Sequence, residues 1–249
     1  MRKKLVAGNW KMHGNLQFNA SLLDGLISGL SGLQCEVVVC VPYPYMAQVS
    51  QKLSGTGIRV GAQNVSEYQQ GAFTGEVSAS MLGEFGCDYV LVGHSERRTL
   101  FGETDEVVAV KCKNVLQYGM RPVLCVGETL AERESGKTGE VVARQVGAVL
   151  SVIGVKEFEK VVVAYEPVWA IGTGVTATPR QAQEVHAAIR AQVAVQDMVV
   201  AAGLTILYGG SVKPQTAAEL FGQPDIDGGL IGGAALVVDD FLAICHAAN

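Results

Sequence analysis

Short apolar runs rich in β-branched residues alternate with stretches of helical spacing from one end of the chain to the other. The strand-like runs are Leu5–Asn9, Cys35–Val41, Ile58–Ala62, Tyr89–Val92, Pro122–Val126, Val161–Tyr165, Thr205–Tyr208 and, more weakly, Gly228–Ile231. Short continuous apolar runs of this kind fit strands buried on both faces. Between them the spacing predicts helices. Phe18, Leu22, Leu23 and Leu26 share one face, and further helices are expected over Met46–Leu53, Ser78–Phe85, Glu103–Tyr118, Glu140–Val152 and Leu236–Cys245. Pro179 and Pro214 each open a helix where a missing N–H costs nothing. One connection breaks the rhythm: Gln63–Val77 is long, glycine-bearing and without a strong period.

Eight strand–helix repeats with no linker or composition break predict an α/β fold with a parallel sheet. That count, with a length of 249 residues, favours a closed (β/α)8 barrel with an outer ring of helices over an open doubly wound sheet. Residues 1–249 are expected to form that barrel as a single domain. In such a barrel the chemistry sits at the carboxyl ends of the strands.

The richest strand end is the sixth. Glu166 follows a buried run, and Pro167 stops the ladder at once, having no N–H and a fixed φ. Val168, Trp169, Ala170 and Ile171 then make an apolar loop, and Gly172 and Gly174 flank Thr173. A loop that is stiff at its start, apolar in its middle and pliable at its end suits a lid that excludes water from a carboxylate. After strand one come Asn9, Trp10 and Lys11, with Lys11 a compact cation at the mouth. After strand four comes Gly93-His94-Ser95-Glu96-Arg97-Arg98, in which Ser95 is expected to cap a helical turn that keeps the His94 ring neutral. Strands seven and eight end in Tyr208-Gly209-Gly210-Ser211 and Gly232-Gly233-Ala234. Glycines at neighbouring strand ends let backbone N–H groups close on an anion, and a helical turn from Gly232 would add its dipole.

Composition narrows the partners. Hydrophobic residues make up 49% and charged residues 17%, which argues for a filled core and against disorder. A net charge of −5 gives no reason to expect nucleic acid or an anionic membrane, so a phosphate would have to be held by local dipoles and a cation such as Lys11. Six cysteines without a C-x-x-C pair, several inside apolar runs, read as buried free thiols, Cys125 among them. Four histidines without H-x-x-x-H spacing make a zinc site unexpected. No apolar run is long enough for a bilayer span and Leu5-Val6-Ala7 is too short for a signal core, so a cytoplasmic setting is expected. Gly172-Thr173-Gly174-Val175-Thr176-Ala177 fits the dinucleotide fingerprint by letter, but its glycines lie past Pro167 and no second strand delivers the acidic partner.

In these segments, together with Gly61-Ala62-Gln63-Asn64, Gly71–Glu76, Cys125-Val126-Gly127-Glu128 and Ala164–Gly174, the chain resembles the triosephosphate isomerase family along its whole length. The resemblance implies interconversion of dihydroxyacetone phosphate and glyceraldehyde 3-phosphate, in glycolysis and gluconeogenesis, with no cofactor and no metal. It implies the family's long-known acid/base pair, with Glu166 as base and neutral His94 as electrophile. Lys11 matches the cation that binds substrate, with Asn9 beside it, and Glu96 a supporting carboxylate. Gly172, Ser211, Gly232 and Gly233 match phosphate-binding N–H groups. Pro167-Val168-Trp169 and Gly174-Val175-Thr176 match the lid's hinges. The loop Gln63–Glu76 matches a dimer loop that would carry Thr74 and Gly75 toward Asn9 and Lys11 of a partner in a homodimer. Two departures stand out: Val175, where a lysine is common in the hinge, and Gly229, where a bulkier residue is common and looser packing is expected. Another phosphosugar isomerase or lyase on the same barrel, or a barrel kept for binding alone, remains the alternative reading.

Overall fold

A computed structural model describes residues 2–171 and 176–249. The expected lid residues Gly172, Thr173, Gly174 and Val175 lie outside the described residues, and with them the expected departure at the Val175 hinge. In chain order the elements are β1 (Leu5–Asn9), α1 (Leu16–Gly29), β2 (Glu36–Val41), α2 (Met46–Leu53), β3 (Ile58–Ala62), α3 (Ala79–Glu84), β4 (Tyr89–Val92), α4 (Ser95–Phe101) and α5 (Asp105–Gln117). The second half runs β5 (Arg121–Val126), α6 (Leu130–Glu134), α7 (Thr138–Phe158), β6 (Val162–Tyr165), α8 (Pro179–Ala194), α9 (Met198–Gly203), β7 (Thr205–Tyr208), α10 (Pro214–Phe221), β8 (Gly228–Ile231) and α11 (Val238–His246). All neighbouring strands pair in parallel, and β8 returns to β1 to close the barrel.

Period-two alternation divides the core in two. Leu5, Ala7, Val38, Cys40, Tyr89, Leu91, Val123, Cys125, Val162, Ala164, Leu207 and Leu230 fill the barrel interior. The other face of each strand packs on the helix ring, where Val6, Val39, Val90, Leu124, Val163 and Ile206 meet Leu23, Val108, Val146, Ile189 and Phe241. All six cysteines are buried free thiols, as their apolar context predicts.

Helix boundaries follow caps more than apolar spacing. Thr104, Thr129, Thr178 and Asp197 accept hydrogen bonds from backbone N–H groups at the starts of α5, α6, α8 and α9. The five-residue α6 and six-residue α9 were not anticipated, because each is too short to show a helical period. The longest helix, α7, is apolar enough to be weighed as a membrane span, but Gly154 breaks it and Val141, Val142, Val146, Val149 and Leu150 are buried. At Gly229 the expectation of looser packing is overturned. A Cβ there would lie 2.8 Å from Ile231 Cδ1 and 3.1 Å from the Phe221 ring, so its neighbours already fill the space.

Candidate active site

The alternation that builds the core also aims the site. On β6 the inward series Val162, Ala164 continues to Glu166, and on β1 Leu5, Ala7 continues to Asn9. The same step on β7 and β8 gives Gly209 and Gly232. A Cβ on Gly209 would stand 2.9 Å from Glu166 Cγ, so the carboxylate lies against a position that tolerates no side chain. Asn9, Lys11, His94, Glu166, Ile171, Gly209, Gly210, Ser211, Gly232 and Gly233 line one cavity of about 520 Å³ at the carboxyl ends of the strands.

Glu166 is 2% exposed. Its Oε2 accepts the Ser95 backbone N–H at 2.9 Å, and its Oε1 lies 2.8 Å from His94 Nε2. Burial alone would raise its pKa. The His94 ring, the Ser95 N–H and the more distant Lys11 ammonium more than offset that and hold the carboxyl below its ordinary value.

His94 corrects one local expectation. The capping residue of α4 is His94 itself, not Ser95, and its Nδ1 accepts the Glu96 N–H at 3.3 Å. A ring nitrogen that accepts carries no proton, so the arrangement is that of neutral imidazole with its proton on Nε2. Burial disfavours a charged ring, while the adjacent Glu166 carboxylate and then Glu96 pull the His94 pKa up. That pull depends on Glu166 lying against the ring and weakens when the carboxylate moves toward a substrate.

Among the described residues Lys11 is the one non-glycine residue in the left-handed region, with φ +51°. Asn9 Oδ1 accepts its N–H at 3.0 Å, and Gln63 Nε2 donates to its C=O at 2.9 Å. Its Nζ reaches Glu96 Oε1 at 2.5 Å. Over-determined backbone of this kind presents a side chain in one direction. The sequence places Gln63 in the long connection and in the segment Gly61–Asn64 but carries no sign of its hold on Lys11.

Just past Pro167 comes a single 3-10 turn, Val168–Ala170, with Ala170 buried. Glu128, at the end of β5, anchors it. This carboxylate is fully buried and accepts Trp169 Nε1 at 2.9 Å, Arg133 Nη1 at 3.1 Å and the Tyr165 hydroxyl at 3.1 Å. The turn expected from Gly232 begins one residue later, at Gly233.

Thr74 and Gly75 lie in the exposed stretch Tyr68–Glu76, where Tyr68 and Phe73 stack with centroids 3.7 Å apart. A further recess of about 310 Å³ opens beside Lys11, between Met12, Pro42, Tyr43, Gln63, Glu96 and Phe101.

The triosephosphate isomerase family model matches residues 4–248. A triosephosphate isomerase of Dechloromonas aromatica is 72% identical over 249 residues, spanning all of both chains. Those of Thiobacillus denitrificans and Cupriavidus taiwanensis are 63% and 61% identical, each covering at least 99% of both chains. By its sequence and by the barrel it forms, the chain belongs to the triosephosphate isomerase family.

Proposed function

We infer that this protein interconverts dihydroxyacetone phosphate and D-glyceraldehyde 3-phosphate as a glycolytic isomerase, with Glu166, His94 and Lys11 doing the chemistry. The observation that carries this is one cavity holding a buried carboxylate, an imidazole N–H and an ammonium at one end and two glycine-bearing strand ends at the other.

The phosphate sits against Ser211, Gly232, Gly233 and, once the lid is down, Gly172, where backbone N–H groups and the dipole of the following turn favour an anion. That handle leaves the carbonyl and its neighbouring carbon facing Glu166. The carboxylate leaves Ser95 and His94 and takes a proton from the carbon next to the carbonyl. The electron pair moves into a carbon–carbon double bond, and His94 Nε2–H with the Lys11 ammonium stabilises charge on the oxygens of the enediolate. Glu166 then returns the proton to the other carbon, while His94 Nε2 gives its proton to the former carbonyl oxygen and takes the hydroxyl proton from the oxygen that becomes the new carbonyl. Electrons move only within the substrate, so the reaction consumes no oxidant or reductant. Asn9 supports Lys11, and Glu96 sets the direction of its ammonium.

Residues Pro167–Thr176 act as the lid. Binding energy from the phosphate drives closure, which strengthens the base by desolvation and keeps water from the intermediate. The working unit is a homodimer, with the loop bearing Thr74 and Gly75 inserted into the partner's recess beside Lys11. Exposed Met12, Phe73, Met81, Phe85, Leu100 and Phe101 give that interface an apolar surface. A cytoplasmic setting fits the buried free thiols and the substrate, and no nucleic acid or membrane partner is expected of a chain of net charge −5. Coupled assay of glyceraldehyde 3-phosphate isomerisation tests this. Rapid turnover to dihydroxyacetone phosphate is expected, and its absence from a folded protein would overturn the reading.

A further inference from the structure

A two-bond clasp joins the helix ring to the strand end beside the base. Gln145 on α7 is 5% exposed, and its Oε1 accepts the Gly127 N–H at 2.8 Å while its Nε2 donates to the Gly127 C=O at 3.3 Å. Both backbone groups of Gly127 are thus taken by this one side chain. In a parallel ladder alternate residues pair to opposite sides, and here Val126 C=O takes the Glu166 N–H at 2.7 Å and Glu128 C=O takes the Val168 N–H at 3.1 Å. Gly127 therefore faces the β4 side, where the ladder ends at Val92 opposite Leu124. One step lower, the Arg98 side chain takes the Cys125 C=O at 3.2 Å.

Gly127 thus lies between the two bonds that hold Glu166 and Val168 on either side of Pro167. Contact there is so close that a Cβ on Gly127 would sit 1.8 Å from the Glu166 carbonyl oxygen. A cavity of about 410 Å³ borders Gly127, Gln145, Glu166 and Val168, leaving room for the strand end to shift.

We propose that Gln145 is a positioning residue for the isomerisation. Its amide clasp on Gly127 sets the height of the Glu166 backbone and of the lid's first hinge. The proposal rests on the function inferred above. Gln145 lies behind Gly127 and outside the cavity that holds Glu166, His94 and Lys11, and the phosphate end of that cavity, after β7 and β8, is built without it.

The test compares steady-state kinetics and denaturation midpoints of the parent, Gln145→Leu, Gln145→Glu and Val149→Ala. Val149 is a buried apolar residue one turn further along the same helix, with no polar group to offer Gly127. Gln145→Leu is expected to lower kcat by about ten- to a hundredfold, as for a base displaced by part of an ångström, with KM within about twofold of the parent. Val149→Ala is expected to lower the denaturation midpoint while keeping kcat within about twofold. A protonated Gln145→Glu side chain reproduces the clasp and an ionised one repels the Gly127 carbonyl. That variant should keep parental kcat at low pH and lose it as pH rises across the parent's plateau. Parental kcat in Gln145→Leu, a fall in kcat in Val149→Ala equal to that of Gln145→Leu, or a Gln145→Glu profile parallel to the parent's would each overturn the proposal. If Gln145→Leu does not fold, the Gln145→Glu profile decides alone. A parent without isomerase turnover overturns the functional reading and this proposal with it, whereas a fast parent with an indifferent Gln145 overturns only the latter.

Discussion

His94 Nε2 and Glu166 Oε1 face each other across 2.8 Å, and the other oxygen of Glu166 is held by the Ser95 N–H. The two side chains therefore hold each other, and a substrate for which they serve as acid and base would have to replace both bonds. A carboxylate is needed for the first step and an amide cannot supply it. Glu166→Gln is expected to lower kcat by at least about 10²–10⁴-fold, the usual worth of a positioned base, with KM little changed. Stopped or continuous assay of both directions checks this, and retention of more than a tenth of parental kcat would refute the assignment.

The same pair sets the acid limit of the reaction. In the free enzyme Glu166 is held below its ordinary value and the His94 ring above its own, so the first proton taken up as pH falls goes to His94 and kcat/KM should already fall through the histidine range. Replacing His94 removes the group that takes up this proton and leaves the Glu166 carboxyl to set the limit. In His94→Gln the acid limb of kcat/KM is expected to move down into the carboxylate range, on top of a lower plateau. An unmoved limb would mean that His94 does not set it.

Much of this geometry was legible because strands repeat every two residues. Once Val162 and Ala164 face inward, Glu166 must follow them, and Leu5 and Ala7 bring Asn9 with them in the same way. Gly209 and Gly232, just past β7 and β8, fall on the inward face by the same count. What was hidden depends on closure between elements. Glu128 becomes a lid anchor only because pairing of β5 with β6 brings Tyr165 and Trp169 to it. Likewise Gln63 reaches the Lys11 carbonyl only once β3 stands beside β2 and β1. His94 acting as its own cap left no sequence signal, since histidine is not an expected capping residue.

A homodimer built through the Thr74 loop has a kinetic consequence. The recess beside Lys11 is lined by the residues that hold its left-handed backbone, so an empty recess leaves the cation less fixed. Thr74→Arg places a charge at the tip of an exposed loop that would enter this recess. It should yield a monomer by light scattering at micromolar concentration and lower kcat by about tenfold or more through misplacement of Lys11. A parent that is itself monomeric and fully active would overturn the dimer.

Gly229 offers a test of packing with no chemistry attached. A Cβ there meets Ile231 Cδ1 at 2.8 Å and two Phe221 ring carbons at 3.1 and 3.2 Å. Both neighbours are buried, and Phe221 is 3% exposed, so neither can swing into solvent. Overfilling a tight site costs about 1–3 kcal/mol, where filling a void would stabilise. Gly229→Ala is therefore expected at the low end of that range and Gly229→Val at the high end, read from urea midpoints at constant slope. Gly229 faces Phe221 of α10, on the opposite side of β8 from Leu230, which lines the cavity, so kcat and KM should stay parental. A gain in stability on either substitution would show that β8 and α10 separate easily and that the glycine leaves slack in the fold.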